Sequence, residues 1–177
     1  MIKKLTLLIF LLWFPTAPSQ IKPPNYDFSL DNLTIFYPGK SLKKVQTKFG
    51  KGEKYKTIEN LEIHKFYVAQ IRYKFPVFIQ VYKDKILDFF ARLPSYFSHD
   101  LFHQSLINRY GMQNKYLKHE RNATYIWQNK KGIDLIYAGT CTITCFPIFL
   151  SGKVTVPNKQ LIHYRPITDH MKKNRLY

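Results

Sequence analysis

Two pairs of residues in this 177-residue chain have the types and the spacing for chemistry. One is Cys141 and Cys145, in "GTCTITCFPIFLSG"; the other is His99 and His103, in "SHDLFHQSL". Imidazoles four apart on a helix lie on one face and can share a zinc ion. With a water on the metal, that pair would make a His-based metal hydrolase. The glutamate of the zinc-protease motif is missing, however, and none of His64, His119 and His163 stands at a spacing that marks a third ligand. His99 and Asp100 also fall where a helix start wants polar residues. The hydrolase is therefore the weakest reading, and no cofactor is expected. The 11 acidic residues are scattered, so paired-carboxylate catalysis has no support.

The cysteines are in no CxxC motif and beside no activating base, which argues against a thiol nucleophile. An even pair in an exported chain suggests a disulfide. Positions four apart in a straight strand lie ~13 Å from each other, too far to bond. Thr142-Ile143-Thr144 argues against a helix. A Cys141–Cys145 bond therefore requires the chain to turn between them, closing one end of a sheet.

The third chemical feature is charge. Lys43, Lys44, Lys48, Lys51 and Lys54 crowd one stretch, "SLKKVQTKFGKGEKY". Whether they read nucleic acid depends on the compartment. The chain starts "MIKKLTLLIFLLWFPTAPSQ": two lysines, an apolar run from Leu5 to Phe14, a breaker at Pro15, then the small residues Ala17 and Ser19. That order is the pattern of a signal peptide over 1–19, with an apolar run too short to span a bilayer. Removing Lys3 and Lys4 from the 28 Lys and Arg leaves 26 against 11 acidic residues, a formal +15. In the cytoplasm such charge would suggest nucleic acid. Outside it, the abundant polyanions are phospholipid headgroups, lipopolysaccharide and wall polymers, so the expected setting is a bacterial periplasm or cell envelope. The equally simple account of the charge is a solvated lysine face.

The elements that would position these residues follow from periodicity. Residues 20–37, rich in Pro, Asn and Asp, read as an extended leader. Leu42, Val45 and Phe49 form one helical face, with Ser41 as N-cap and Gly50 as the stop. The lysines fall away from that face. "IHKFYVAQIRYKF", "PVFIQVY" and "ILDFFARL" read as strands, the last two joined by a turn at 82–85. The order then restarts. Phe102, Leu106 and Tyr110 mark a helix over 99–110, closed by Gly111, and "ATYIWQ" and "GIDLIYAG" flank the hairpin signal "NKKG". Shifted by 61 residues, Phe49-Gly50 falls on Tyr110-Gly111. Units at 38–94 and 95–156, followed by a basic tail at 157–177, are expected.

Gly39, Ser41, Val45, Phe49 and Gly50 sit where the SmpA/OmlA, or BamE-like, family of envelope proteins carries its Gly, helix-starting Ser or Thr, mid-helix Val and closing aromatic-or-Leu–Gly pair. Tyr110 and Gly111 repeat that ending. The chain resembles this family, and two such units resemble the tandem arrangement of the β-lactamase-inhibitor-protein family. The resemblance implies an α+β fold of two tandem helix-then-antiparallel-meander units, each a helical layer packed on antiparallel sheet. It implies non-enzymatic work: scaffolding in the envelope through protein partners or an anionic lipid or lipopolysaccharide surface. The alternative is a secreted inhibitor or binding module on the same fold. Nucleic acid is not the expected partner. No lipid-bearing Cys follows the signal peptide, which departs from the family's lipoproteins.

Overall fold

The computed structural model describes residues 27–70, 73–94, 98–143, 145–155 and 164–173. The signal-peptide segment lies outside them. Helix α1 (Asp27–Leu33) runs into a 3-10 turn (Thr34–Phe36), then α2 (Leu42–Phe49) and four strands: β1 (Glu53–Ile58), β2 (Leu61–Gln70), β3 (Tyr73–Tyr82) and β4 (Lys85–Arg92). Helix α3 (His99–Tyr110) precedes β5 (Lys115–His119), β6 (Asn122–Lys130), β7 (Ile133–Cys141) and β8 (Cys145–Val154), and α4 (Ile167–Lys173) follows. All neighbouring strands pair antiparallel, in the order β1-β2-β3-β4-β8-β7-β6-β5.

This overturns the expectation of two tandem α+β units. The chain is mostly one eight-stranded sheet with a few short helices laid on it. The reason is the pairing of β4 with β8, from Asp88↔Lys153 to Arg92↔Phe149. The inner strand of each meander would otherwise expose a row of unpaired amides, and joining them removes both edges. The outer strands β1 "EKYKTI" and β5 "KYLKH" stay as edges, and their lysines discourage further pairing.

Two other expectations are corrected. The leader, read as extended through residue 37, is helical from Asp27 because Leu30, Leu33 and Phe36 bury fully under the sheet. A helix this short is not stable alone, so tertiary burial holds it. Part of the basic tail is α4, which lays Ile167 and Met171 on the opposite face of the sheet, against Ile63, Phe78, Phe90 and Phe149.

The main core lies on the α1–α3 side and includes Val45, Phe66, Val77, Ile79, Phe89, Phe102, Leu106, Trp127 and Leu150. Each large apolar side chain fully buried there contributes roughly 1.5–3 kcal/mol. A bulge in β4 opposite Gln80 and Val81 puts Ile86 and Phe89, three apart, on this same face. Gly152 of β8 pairs with Phe89, and a Cβ at that position would come within 2.5 Å of the Phe89 ring. The strand junction therefore needs glycine there. The Phe89 ring in turn carries Tyr37, stacked at 5.1 Å.

Candidate functional site

The residues that carry the resemblance have structural roles in this fold. The N–H of Gly39 bonds the Ile86 carbonyl and that of Ile86 returns to Lys40, so the segment before α2 pairs with β4. Ser41 does not cap α2 with its own hydroxyl. It donates that hydroxyl to Asp84 (2.7 Å), and Asp84 accepts the Lys43 N–H (3.1 Å), so the cap comes from the β3–β4 turn. Val45 is fully buried and Phe49 packs on Phe36. Gly50 and Gly111 end their helices with nearly the same backbone, φ +81° and +78°, a region that favours glycine. The Trp127 indole N–H then ties down the Gly111 carbonyl at 2.7 Å.

The lysines singled out from sequence do not build a site. Lys43, Lys44 and Lys51 are exposed, Lys48 reaches Asn32, and Lys54 pairs with Glu62 at 2.6 Å. A different set of cations converges where the first helices, α3 and the β6–β7 turn meet. A cleft of about 590 Å³ is lined by Thr34, Tyr37, Pro38, Lys40, Arg109, Tyr110, Asn129, Lys130, Lys131, Ile133 and Leu135. Four of these side chains are basic and none is a carboxylate. The volume suits a small ligand or a headgroup.

Each side of the cleft is held from the fold. Tyr37 and Tyr110 share a hydroxyl–hydroxyl hydrogen bond of 2.7 Å. Burial, and then the neighbouring Tyr110, push the Tyr37 phenol well above its ordinary pKa, so it stays a neutral donor. The Arg109 guanidinium is paired to Asp31 of α1, which fixes its direction. Lys130 and Lys131 sit on a turn where Asn129 and Lys131 take positive φ. Asp134 braces that turn, accepting the Asn129 N–H (2.9 Å) and the Thr155 hydroxyl (3.0 Å). The cleft thus places basic side chains on a braced turn beside two phenols and an apolar wall of Ile133 and Leu135. Of these residues only Tyr110 stands out in the sequence as a candidate, and for its place in the helix ending. The signal available was weak: "NKKG" marked a turn bearing two lysines, but nothing in sequence places it against Tyr37.

At the opposite end of the sheet, Cys141 and Cys145 are bonded and face each other across the β7–β8 hairpin, with Cα atoms 3.8 Å apart. The chain bends at Thr142 and Ile143, as the spacing required. His99 and His103 do share a helix face, but their rings stack at 5.9 Å with planes 17° apart. Both rings pack among Tyr125 and Tyr137. Burial lowers the pKa of each, which favours the neutral form. His99 instead comes close to the two cysteine sulfurs.

Compared with protein-family profiles, with curated proteins and with solved structures, the chain matches none. What the fold and the cleft define is a sheet protein with a basic cleft at one end and a bonded hairpin at the other.

Proposed function

We propose that the protein is an exported, non-enzymatic envelope protein that binds an anionic group, on a lipid or lipopolysaccharide surface or on an envelope protein, in the cleft between Tyr37, Tyr110 and the β6–β7 turn. The observation that carries this reading is the convergence of Lys40, Arg109, Lys130 and Lys131 with no carboxylate among the lining residues. In a chain of formal charge +17, scattered lysines need no ligand. With Arg109 already paired to Asp31, Lys40, Lys130 and Lys131 are three like charges gathered beside Tyr37 and Tyr110, and an anion would offset their repulsion. The signal-peptide pattern supplies the compartment.

Binding to vesicles containing an anionic phospholipid tests it. Near a charged surface each lysine is worth about 1 kcal/mol, so Lys40→Ala with Lys130→Ala and Lys131→Ala should weaken binding roughly a hundredfold at low salt. The triple variant Lys43→Ala, Lys44→Ala, Lys48→Ala removes the same charge from α2 and should cost much less. Equal losses would mean that diffuse charge, not the cleft, does the binding. A secreted binding module is the second reading, favoured by Ile143, fully exposed, and Phe146, 42% exposed, on the bonded hairpin. Retained vesicle binding in an Ile143→Asp variant that loses a protein partner would favour it.

A further inference from the structure

We infer that the β7–β8 hairpin is the closed form of a thiophilic metal site, opened by reduction, in which Cys141, Cys145 and His99 hold a d10 cation such as zinc(II) or copper(I). One ligand atom from each of the three residues lies within 4.8 Å of the others. The two cysteines are direct cross-strand partners, so their side chains leave the hairpin on one face. Tetrahedral zinc with Zn–S bonds of ~2.3 Å needs sulfurs roughly 3.8 Å apart, a separation that opposed hairpin positions can adopt once the bond is cut. Both cysteines are partly exposed at the hairpin tip, within reach of a small thiol.

His99 is prepared as a ligand. Its Nδ1 lies 3.0 Å from the Tyr137 hydroxyl and its Nε2 3.4 Å from the Tyr125 hydroxyl. A metal taking one nitrogen would displace that phenol, and the other nitrogen can then donate its proton to the remaining phenol oxygen, the outer contact that fixes tautomer and ring direction in metal-bound histidines. The ring is also clamped by stacking on Tyr137 at 5.3 Å. Two thiolates and one imidazole are a soft donor set, suited to zinc and copper(I) rather than magnesium or calcium. Three protein ligands leave a fourth position for water or a small ligand.

The step balances with a thiol as reductant. Two RSH molecules supply two electrons and two protons to the Cys141–Cys145 bond and leave as RSSR. The two cysteine thiols then release two protons as the metal binds. Metal uptake therefore depends on redox state and falls with acid.

The test uses the full chain, oxidised or reduced with a phosphine that binds zinc weakly, in competition with a chromophoric zinc chelator. The reduced protein should bind one zinc ion per chain, and its cobalt(II) form should show thiolate-to-metal charge transfer. The oxidised protein should do neither. His99→Gln should weaken zinc binding of the reduced protein by more than about tenfold, a loss at least as large as that of an outer-contact partner. Should His99→Gln fail to fold, the wild-type His99 ring nitrogens read the same contact, and their NMR shifts should move on zinc addition. Zinc binding equally tight in the oxidised protein would overturn the proposal. So would reduced His99→Gln binding as well as wild type, or ring nitrogens that do not respond, because then the dithiol alone would be the binder.

Discussion

Asp84 and Asp88 stand four residues apart on one turn and strand, and each holds the start of a helix, on opposite faces of the sheet. Asp84 takes the Ser41 hydroxyl and the Lys43 N–H at the start of α2. Asp88 takes the Tyr164 hydroxyl and the Ile167 N–H at the start of α4, both at 2.9 Å. Their acidities move in opposite directions. The Ser41 and Lys43 hydrogen bonds lower the pKa of Asp84 in a solvated turn. Burial raises Asp88 to about 7, against the same kind of hydrogen bonds and against the nearby Lys153, with Asp169 adding to the rise. The capping hydrogen bonds favour the charged carboxylate in both places; at Asp88 the exclusion of water outweighs them and favours the neutral acid.

The largest expected effect tests that sign. Below an unfolded pKa of ~3.9 both states of the chain hold the Asp88 proton. Between that value and about 7 the unfolded chain loses the proton while the folded one keeps it, so stability from this group falls as pH rises. The full window is worth on the order of 4 kcal/mol. Asp88→Asn keeps an oxygen for Tyr164 and Ile167 but cannot ionise. Measured by urea unfolding, it should gain on wild type from pH 4.5 to about pH 7 and then level off; a constant gap across that range would refute the buried acid. His99 and His103, whose pKa values are lowered, act in the opposite sense in both proteins and cancel in the difference.

A change at the strand junction should disturb both caps alike and without pH dependence. Gly152→Ala drives a Cβ into the Phe89 ring, next to Asp88, and overpacking of this kind costs about 1–3 kcal/mol. A cost that varies between pH 5 and pH 8 would mean that strand displacement reaches the Asp88 carboxyl selectively. The smallest effect belongs to the exposed cap. Asp84→Asn should reduce hydrogen-exchange protection in α2 at neutral pH, and the difference should fade in acid, since a group with lowered pKa contributes only while ionised. An Asp84→Asn defect that grows in acid would reverse the comparison.

Much of this architecture is legible in the chain because it depends on local rules. The helices near 41–49 and 99–110, their glycine stops, the turns at Lys83-Asp84 and Lys131-Gly132 and the bend between the cysteines all follow from periodicity or sterics. What was not legible depends on distant partners. Helices α1 and α4 are seven residues each and exist through burial rather than propensity. Strands β1 and β5 carry the charges of edges, which mask a strand pattern. The single sheet rests on β4 finding β8, and no short window records that pairing. The cleft is hidden for the same reason. Its cations come from the segment before α2, the end of α3 and a hairpin turn, while the lysine cluster that stands out in sequence lies outside it.

The β4–β8 junction has a kinetic consequence. Tyr37 lies before the first strand, its support Phe89 rests over Gly152, and Tyr110 and the β6–β7 turn belong to the second half of the chain. Hairpins close quickly, because their partners are near in sequence, but β8 must return across the whole second half to meet β4. Until it does, neither half holds a complete set of cleft residues. During synthesis the chain therefore cannot assemble this cleft early, and the cleft is complete only with the last strand.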